Sequence, residues 1–449
     1  MTDVSASRLR LVGFAIPALP KSGLVTATFV FLPPLYAEHR ELGAAAVGGM
    51  FLLAKLYDMF TTPLWGIIMD KYKTPWGRRR PWLFLSVPFL IVPVYLLFNP
   101  PESVGSTYFL IWLVLMYVGW EMSGISHTSW ALELSRDYDR RSMMAGLLQL
   151  MVMIGAILVS LLPAVMERVA TPTFEEKVSA VSLFLVIALP VAVGICLVSV
   201  PEREVPPQPS LGFKKGLSVL LGNRAVYRVL LANALLGFSG FFVQGLFVFF
   251  VSYTLNLADR VGFILLFLVI GGLISVPVWI KLSAIMGKHK TLQLAVFIGT
   301  LAPLLLLVLP TDAVVLTAIA FAIIGINSSA NEFLPRAMMA DVCDHDSVNS
   351  GSERMGLYYS LLQLSSKLVA GLGIFVGFSF LTFFEFYPEL GKANTVEAIQ
   401  NLRYLIVALP VAAHFIVIAL MWRYPITREH QRDMQRILEE RGRKISSSA

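Results

Sequence analysis

Cysteine and charged residues are both scarce in this chain of 449 residues. Cys196 and Cys343 are the only two cysteines, and both fall in or beside long apolar segments, so neither a disulfide framework nor a thiolate metal cluster is expected. Only 14% of the residues are charged, whereas 56% are hydrophobic, which exceeds the roughly 45–50% of soluble domains. The composition excludes a soluble core and is typical of a polytopic membrane protein.

Two further absences narrow the function. No nucleophile and base stand at catalytic spacing, and no ligand set has standard metal-site spacing, so we predict neither an enzyme nor a bound cofactor or metal. The formal net charge is +7, but the basic residues lie in short loops between apolar segments. The expected partner is therefore the lipid bilayer and not nucleic acid.

Apolar segments long enough to cross a bilayer, about 20 residues each, recur along the chain. They predict an all-α membrane protein with twelve transmembrane helices. The first segment is too long for a signal peptide and lacks a small-residue cleavage site, so we expect it to be retained. The predicted spans are residues 11–37, 44–69, 81–99, 107–132, 143–166, 179–200, 224–254, 260–286, 290–309, 313–335, 353–383 and 400–423.

Positive charge is concentrated in the loops after the even-numbered spans. Arg78, Arg79 and Arg80 follow span two, and Lys288 and Lys290 follow span eight. Short loops rich in Lys and Arg stay in the cytoplasm. With an even number of spans, both termini are expected on the cytoplasmic side of an inner or plasma membrane. A monomer is expected.

The chain also shows signs of internal repetition. Pro63-Leu-Trp65 near the end of span two recurs as Pro277-Val-Trp279 near the end of span eight. Two six-span repeats indicate a transporter with its site near the bilayer midplane, between the halves. The predicted division is a six-helix bundle at 1–200, a Pro-rich linker at 201–223, a second bundle at 224–424 and a cytoplasmic tail at 425–449, read as a short amphipathic or solvated helix.

Asp58 lies inside span two, twelve residues before Asp70, or about 18 Å along a helix. Lys55 and Thr62 share its helical face. A charge at this depth costs on the order of 2.5–3.5 kcal/mol on insertion scales, and a buried carboxylate beside a hydroxyl suits a proton or a sodium ion. These three residues are candidate cation-binding residues. The alternative is that Asp58 pairs with Lys55 only to hold the bundle together.

A second intramembrane lysine, Lys367, lies about 20 Å deep in span eleven. We predict that it pairs with Asp58 across the two halves and couples cation binding to their movement, since a cation on Asp58 would weaken the pair. The alternative is a lysine that extends to the membrane interface.

Span four supplies four candidate substrate-binding residues. Ser126 and Trp130 share a face on which a sugar ring could stack, although Trp130 also suits an interfacial belt. His127 is either a proton relay or a packing residue. Glu121 lies deeper and is a candidate for proton or substrate binding.

Acidic and basic residues mix in the connection between spans ten and eleven. Their spacing fits no standard metal site, so we predict salt bridges that gate the cytoplasmic side, made with the equivalent loop of the first half. The predicted gate residues are Arg136, Arg140, Arg141, Asp341, Asp344 and Arg354.

Three segments carry a resemblance to a known family. They are Lys55-Leu-Tyr-Asp58 through Pro63-Leu-Trp-Gly66, Trp76-Gly-Arg-Arg-Arg-Pro81-Trp82, and Asp341-Val-Cys-Asp344 together with the Lys367 segment. Over most of its length the chain resembles the glycoside–pentoside–hexuronide:cation symporters of the major facilitator superfamily, whose best-known member is the melibiose permease. The resemblance implies rocker-type alternating access and solute uptake driven by sodium, lithium or protons.

Position by position, the resemblance matches Asp58 to one of two cation-binding carboxylates, Lys367 to the helix-eleven lysine and Trp130 to the tryptophan of the sugar site. This chain departs from the family at the second carboxylate, which falls at Thr62. It also departs at three charged sugar ligands, which fall at Ser22, Ser126 and Gln149. Neutral groups bind sugar hydroxyls less strongly than ions do, so galactoside specificity is not implied, and one carboxylate favours a proton over sodium.

The resulting prediction is a cation-coupled secondary active symporter of a small organic solute, most simply a sugar or glycoside, with H⁺ or Na⁺ as the coupling ion. One alternative is a transporter of a lysolipid or another amphipathic solute. Another, from a different class, is a membrane sensor that keeps the transporter fold without transporting.

Overall fold

A computed structural model describes residues 8–38, 40, 42–72, 74–134, 138–200, 202, 224–350, 355–431, 433–434 and 436–437. Within these residues, twelve helices are long and apolar enough to cross a membrane, as predicted. They are α1 (Arg10–Ala37), α2 (Ala44–Lys71), α3 (Arg80–Phe98), α4 (Ser106–Leu134), α5 (Tyr138–Val169), α6 (Phe174–Ser199), α7 (Arg224–Thr254), α8 (Ala258–Met286), α9 (Lys288–Val308), α10 (Val314–Ser350), α11 (Met355–Phe383) and α12 (Val396–Met421).

The helices form two six-helix repeats. In the first repeat α1 packs on α5 and α6, α2 on α4, and α3 on α4 and α6. Adding six to each number gives the pairs of the second repeat: α7 with α11 and α12, α8 with α10, and α9 with α10 and α12. A π-helical turn interrupts α1 at Ala27–Phe31, and another ends α7 at Phe250–Thr254, so the first helix of each repeat carries this local irregularity.

Two helix pairs form most of the contact between the repeats, α2 with α11 and α5 with α8. The shift of six helices exchanges these two pairs, so the repeats are related by an approximate two-fold axis. Residues 201 and 203–223 lie outside the described residues, and the predicted linker and domain boundaries therefore stay a prediction.

Helix α10 differs from its predicted end. The span was predicted to stop at residue 335, with Asp341 and Asp344 in a loop, but the helix continues to Ser350. Met338, Val342 and Cys343 are buried in an apolar cluster, and this packing extends the helix beyond the bilayer-length segment.

The described tail residues from 428 to 437 are helical, as predicted, but they are not fully solvated. Met434 is buried, and the Arg428 guanidinium donates a hydrogen bond to the carbonyl of Ile285 on α8. The beginning of the tail therefore docks on the second repeat.

The largest apolar cluster joins the two repeats near one side of the membrane. It brings Phe29 and Phe51 of the first repeat together with Phe242, Phe249 and Phe378 of the second. We call the side that carries the outer ends of α1 and α12, and the loops after the even-numbered helices, the terminal side. The large apolar cluster lies near the other side, where the loops after the odd-numbered helices lie, and we call this the opposite side.

Glycines along the two seams show which side is open. A Cβ atom placed on Gly48 of α2 would lie 2.9 Å from Phe378, and one on Gly262 of α8 would lie 2.6 Å from Pro163. Gly66 is eighteen residues beyond Gly48, or about five turns along α2. On α5, Ala164 is next to Gly262 in the closed part of the seam, and Gly146 precedes it by the same eighteen residues. A Cβ atom at Gly66 or Gly146 would meet nothing within 4 Å. The seams are therefore closed on the opposite side and open on the terminal side.

Candidate functional site

A cluster of charged side chains joins the two repeats in the middle of the α2–α11 seam. The Lys367 ammonium of α11 lies 3.2 Å from Asp58 Oδ1, 2.6 Å from Thr62 Oγ1 and 2.5 Å from Glu121 Oε1 of α4. Asp58 and Glu121 are buried, and the Lys367 side chain is 20% exposed. Lys367 thus binds groups from two helices of the other repeat.

Lys55 completes this central cluster. Its ammonium lies 3.1 Å from Asp58 Oδ2 and 4.0 Å from the centre of the Tyr117 ring, over the ring face. Gly371 of α11 packs against its aliphatic stem, because a Cβ atom there would lie 2.8 Å from Lys55 Cβ. Two lysines therefore balance two carboxylates, and the cluster is neutral when all four groups are ionised.

The cluster stands where the halves begin to diverge. Towards the opposite side, α2 and α11 remain in contact through Gly371 and Gly48. Towards the terminal side, Gly66 of α2 faces open space, and Ser360 and Gln363 of α11 are exposed. The cluster lies at the inner end of this cleft, within reach of the solution that enters it.

Lys21 of α1 belongs to the same region and was missed by the sequence reasoning. Its ammonium donates to the carbonyl of Ser123 on α4 at 3.4 Å, and no carboxylate lies within ion-pair distance of it among the described residues. Its position beside Ser22 inside the first apolar span was the available signal, since an intramembrane lysine is expensive without a function. Lys21 adds one positive charge that the central cluster does not neutralise.

The α4 residues predicted to bind substrate are mostly occupied by packing. Trp130 is 1% exposed, and its ring meets Phe14 of α1 edge-on at 5.2 Å. His127 Nε2–H donates to the Phe14 carbonyl at 2.8 Å, and the Ser126 hydroxyl donates to the Met122 carbonyl within its own helix. In this conformation Trp130 and His127 join α4 to α1, and the buried Ser126 hydroxyl is bonded within α4, so none of the three presents a free face to a solute.

Ser22 and Gln149 lie elsewhere in the first repeat. Ser22 is half-buried on α1, next to Lys21. Gln149 is exposed on α5, fourteen residues before Pro163, so it shares the helical face that meets α8 near the opposite side. Gln149 therefore faces the cleft, whereas the core buries Trp130.

Four of the six predicted gate residues fall, wholly or in their side chains, outside the described part of the chain. Arg136 and Arg354 lie outside the described residues, as do the side chains of Arg140 and Arg141. Asp341 lies 2.5 Å from the Lys288 ammonium and accepts from the Gln431 amide at 2.7 Å, both in the second repeat or its tail. The contact between the two halves that defines the gate stays a prediction.

The opposite side is closed by a buried contact that the sequence reasoning also missed. Glu167, near the end of α5, accepts hydrogen bonds from the Gly262 and Phe263 amides at the start of α8, at 2.8 and 2.9 Å. The Lys177 ammonium of α6 lies 3.0 Å from the same carboxylate. These amides are unsatisfied at a helix start, so Glu167 caps α8 of the other repeat. We call Glu167, Lys177 and these two amides the α8 cap.

A second contact on this side joins α1 to α7. The Tyr253 hydroxyl donates to the Glu38 carboxylate just beyond the end of α1. Burial raises the pKa of Glu38 to about 7, against the lowering effect of the Tyr253 hydrogen bond. This carboxyl group is therefore partly protonated at neutral pH.

Together, the two repeats, the two exchanged seams and the neutral ionic cluster define a membrane transporter of the alternating-access type and not an enzyme. The chain belongs to the MFS/sugar transport protein family, whose model matches residues 13–428. This match agrees with the family resemblance of the sequence motifs.

Relatives of the chain are transporters. It is 25% identical to the glucuronide carrier protein homolog of Escherichia coli, with 93% of this chain and 92% of that protein covered. It is 26% identical to the isoprimeverose transporter of Lactiplantibacillus pentosus, with 76% of this chain and 73% of that protein covered. It is 22% identical to the sodium-dependent lysophosphatidylcholine symporter 1 of Gallus gallus, with 97% of this chain and 90% of that protein covered.

Solved structures show the same fold. A bacterial homolog of the human lysosomal transporter Spinster aligns with a TM-score of 0.67 and 14% identity, covering 95% of this chain and all of that one. The nucleoside transporter NupG aligns with a TM-score of 0.62 and 12% identity, covering 93% of this chain and all of that one. The fold is that of the major facilitator superfamily, as the sequence predicted.

Proposed function

We propose that this protein is a cation-coupled symporter that carries a small organic solute, a sugar or glycoside, through the cleft between its repeats. The observation that supports this most is the contact of Lys367 with Asp58, Thr62 and Glu121, because it ties the movement of the second repeat to the charge on the first. A cation that neutralises a carboxylate here changes the relative stability of two conformations, which is what coupling requires.

A proton is the coupling ion that the charge balance favours. Both oxygens of Asp58 already face an ammonium group, at 3.1 and 3.2 Å. A sodium ion needs several oxygen ligands and would have to displace a lysine, whereas a proton needs one lone pair.

Lys21 favours a solute that carries a negative charge. The resemblance places family sugar-binding carboxylates at Ser22 and Ser126, and both are neutral here, so no carboxylate balances Lys21. A charge-assisted hydrogen bond from this ammonium suits a carboxylate or phosphate on the solute. An acidic glycoside agrees with both the Lys21 ammonium and the relatives named as glycoside transporters.

The basic loops favour a cytoplasmic position for the terminal side. We propose on this basis that the conformation described above is open inwards and that the protein belongs to the inner or plasma membrane, with both termini in the cytoplasm.

Uptake into proteoliposomes under separate pH and sodium gradients tests the proposal. Accumulation of acidic glycosides under a pH gradient is expected for the wild-type protein, with at least roughly a tenfold loss in Asp58→Asn, because Lys55 and Lys367 then lose a buried counter-ion. Asp433→Asn changes an exposed carboxylate of the tail and serves as the matched control. Unchanged gradient-driven accumulation in Asp58→Asn would show that the cluster does not couple, and a wild-type protein without solute-dependent ion flux would favour the sensor alternative.

A groove on the membrane-facing surface favours a second candidate, an amphipathic solute. It has a volume of about 300 Å³ between α5 and α8, and Arg168 and Arg260 stand among apolar lining residues, with Leu161, Val165 and Phe263 among them. An apolar groove with two guanidinium groups suits a lysolipid with an anionic head group. Lysolipids should be included in the same uptake assay. Uptake of lysolipids and not of glycosides would support transport of an amphipathic solute.

A further inference from the structure

The charged groups of the central cluster are divided unequally between the repeats. Asp58 and Lys55 on α2 and Glu121 on α4 all belong to the first repeat, whereas α11 of the second repeat brings Lys367. An alternating-access cycle moves one repeat against the other. The contacts made by Lys367 are therefore those that must break and reform in each cycle.

Lys55 stays with Asp58 through such a movement. The two residues are three apart on one helix, and the Lys55 side chain is 9% exposed. Its ammonium lies over the Tyr117 ring of α4, with the Phe29 ring of α1 at 5.7 Å, and both rings belong to the same repeat. Asp58 thus keeps an ammonium partner wherever the second repeat moves.

Glu121 has no such permanent partner. Among the described residues, Lys367 is the one cation that the structure places within ion-pair distance of it. Lys21 of α1, the other lysine of this region, binds the Ser123 carbonyl instead. When α11 withdraws, Glu121 is left as a buried anion with no cation in ion-pair contact, which is a costly state.

A proton removes that cost and supplies a new partner. Glu121 and Asp58 both bind the Lys367 ammonium, at 2.5 and 3.2 Å, so the two carboxyl groups are neighbours. Once protonated, Glu121 can donate a hydrogen bond to the Asp58 carboxylate, which a carboxylate cannot do. Sodium cannot make this arrangement, because a metal ion gives Glu121 no hydrogen bond to donate, and Lys55 keeps one Asp58 oxygen occupied after Lys367 has left.

We infer that Glu121 carries the coupling proton and that Lys55 serves Asp58 as a fixed counter-ion in place of a metal ion. The inference rests on the proposed function and assigns its coupling step to one residue. Ionised Glu121 binds the Lys367 ammonium and holds the seam together. A proton from solution converts Glu121 into a neutral acid, and the ion pair between Glu121 and Lys367 is lost. Lys367 then keeps only Asp58 and Thr62 in the first repeat, so the contact between the repeats is weakened.

The pH profile of solute counterflow in proteoliposomes tests this assignment. We expect Glu121→Gln to lose pH-gradient-driven accumulation by roughly 5- to 150-fold, the usual range of a coupling free energy, and its residual counterflow to be independent of pH. Glu121→Asp restores a carboxyl group and is expected to restore a pH-dependent rate. A wild-type pH profile in Glu121→Gln, or accumulation at the wild-type level, would overturn the inference.

Sodium binding by a second variant gives a readout that does not need transport. Removing the ammonium in Lys55→Met leaves Asp58 in need of a cation, so sodium and not potassium is expected to raise the melting temperature of this variant. The wild-type protein and Lys55→Arg are expected not to respond. The role of Lys55 would be contradicted if sodium raised the melting temperature of the wild type, or if it failed to raise that of Lys55→Met. A wild-type protein that transports no solute would contradict the proposed function alone.

Discussion

Lys21 and Lys55 are both intramembrane lysines of the first repeat, but their surroundings assign them to different tasks. Lys55 faces a carboxylate and two aromatic rings, so its charge is satisfied inside the protein. Lys21 has one carbonyl partner at 3.4 Å, which leaves most of its hydrogen-bonding capacity for another molecule. The first lysine is suited to the protein's own charge balance and the second to a solute.

Replacing Lys21 tests whether the solute carries the balancing charge. In Lys21→Met, affinity for an acidic glycoside is expected to fall by roughly 10- to 100-fold, the equivalent of about 1.5–3 kcal/mol for a hydrogen bond to a charged group. Affinity for the neutral glycoside of the same size should change little, and Lys21→Arg should keep the preference. Competition for uptake between the two glycosides measures both affinities. Equal losses for both glycosides would show that Lys21 has a purely structural role.

Residue types and spacing predicted part of the site. The depth of Asp58 and Lys367 in their spans singled them out, and the structure places them 3.2 Å apart. Spacing within α4 did not show that His127 and Trp130 pack against α1, or that the Ser126 hydroxyl is buried and bonded within α4, because the face that α4 presents is set by its tilt and rotation against its neighbours. Their role in substrate binding stays a prediction.

Among the helices, α5 and α8 carry the contact that must open if the opposite side is to admit a solute. The α8 cap joins a carboxylate of one repeat to the exposed amides at a helix start of the other, and both charged side chains are buried. Buried charge-assisted bonds are stronger than those at the surface. The α8 cap is therefore expected to stabilise the conformation that is closed on this side.

Glu167→Gln is expected to shift the protein towards the conformation that is open on the opposite side. The change removes the charge that binds Lys177 and weakens the two amide contacts, at a cost of about 1.5–3 kcal/mol, or roughly 10- to 100-fold in population. Distances between spin labels on α5 and α8 measure the shift, and both native cysteines are buried, which favours selective labelling.

Glu175→Gln is the matched control. Glu175 pairs with Arg40 on the same side of the membrane, but both belong to the first repeat and Glu175 is 46% exposed. Surface ion pairs contribute little, so no shift is expected from this change. Similar distance distributions in Glu167→Gln and the wild type would mean that the α8 cap does not hold the side closed.

For the molecule as a whole, the two seams act as one device that closes one side while the other is open. Gly48 and Gly66 lie on the same stripe of α2, one packed tightly against α11 and the other facing open space. Because protein interiors are close-packed, a glycine is needed wherever two helices approach this closely. Alternating access then requires Gly66 to become the tight position when the terminal side closes.

A leucine at each glycine is expected to shift the conformational equilibrium in opposite directions. Gly66→Leu fits the open cleft and hinders closure of the terminal side, whereas Gly48→Leu clashes with Phe378 in the present conformation. Overpacking costs about 1–3 kcal/mol, or roughly 5- to 150-fold in population. Spin-label distances across the terminal side should lengthen on average in Gly66→Leu and shorten in Gly48→Leu. The same direction of change in both variants would contradict the rocking of the repeats.

The sequence alone determined the number of spans and the depth of Asp58 and Lys367, because bilayer thickness imposes a length and an apolar composition on each helix, and lone charges at that depth are costly. The repeated Pro-x-Trp motif indicated the two repeats, and the resemblance of the sequence motifs indicated the family. Lys21 was missed. The sequence also did not show the length of α10, the packing of Trp130, the partners of Glu121 or the α8 cap. Tertiary structure decided these, because they depend on which helix faces meet between segments far apart in the chain, and apolar spans of nearly uniform hydrophobicity carry little information about their own rotation.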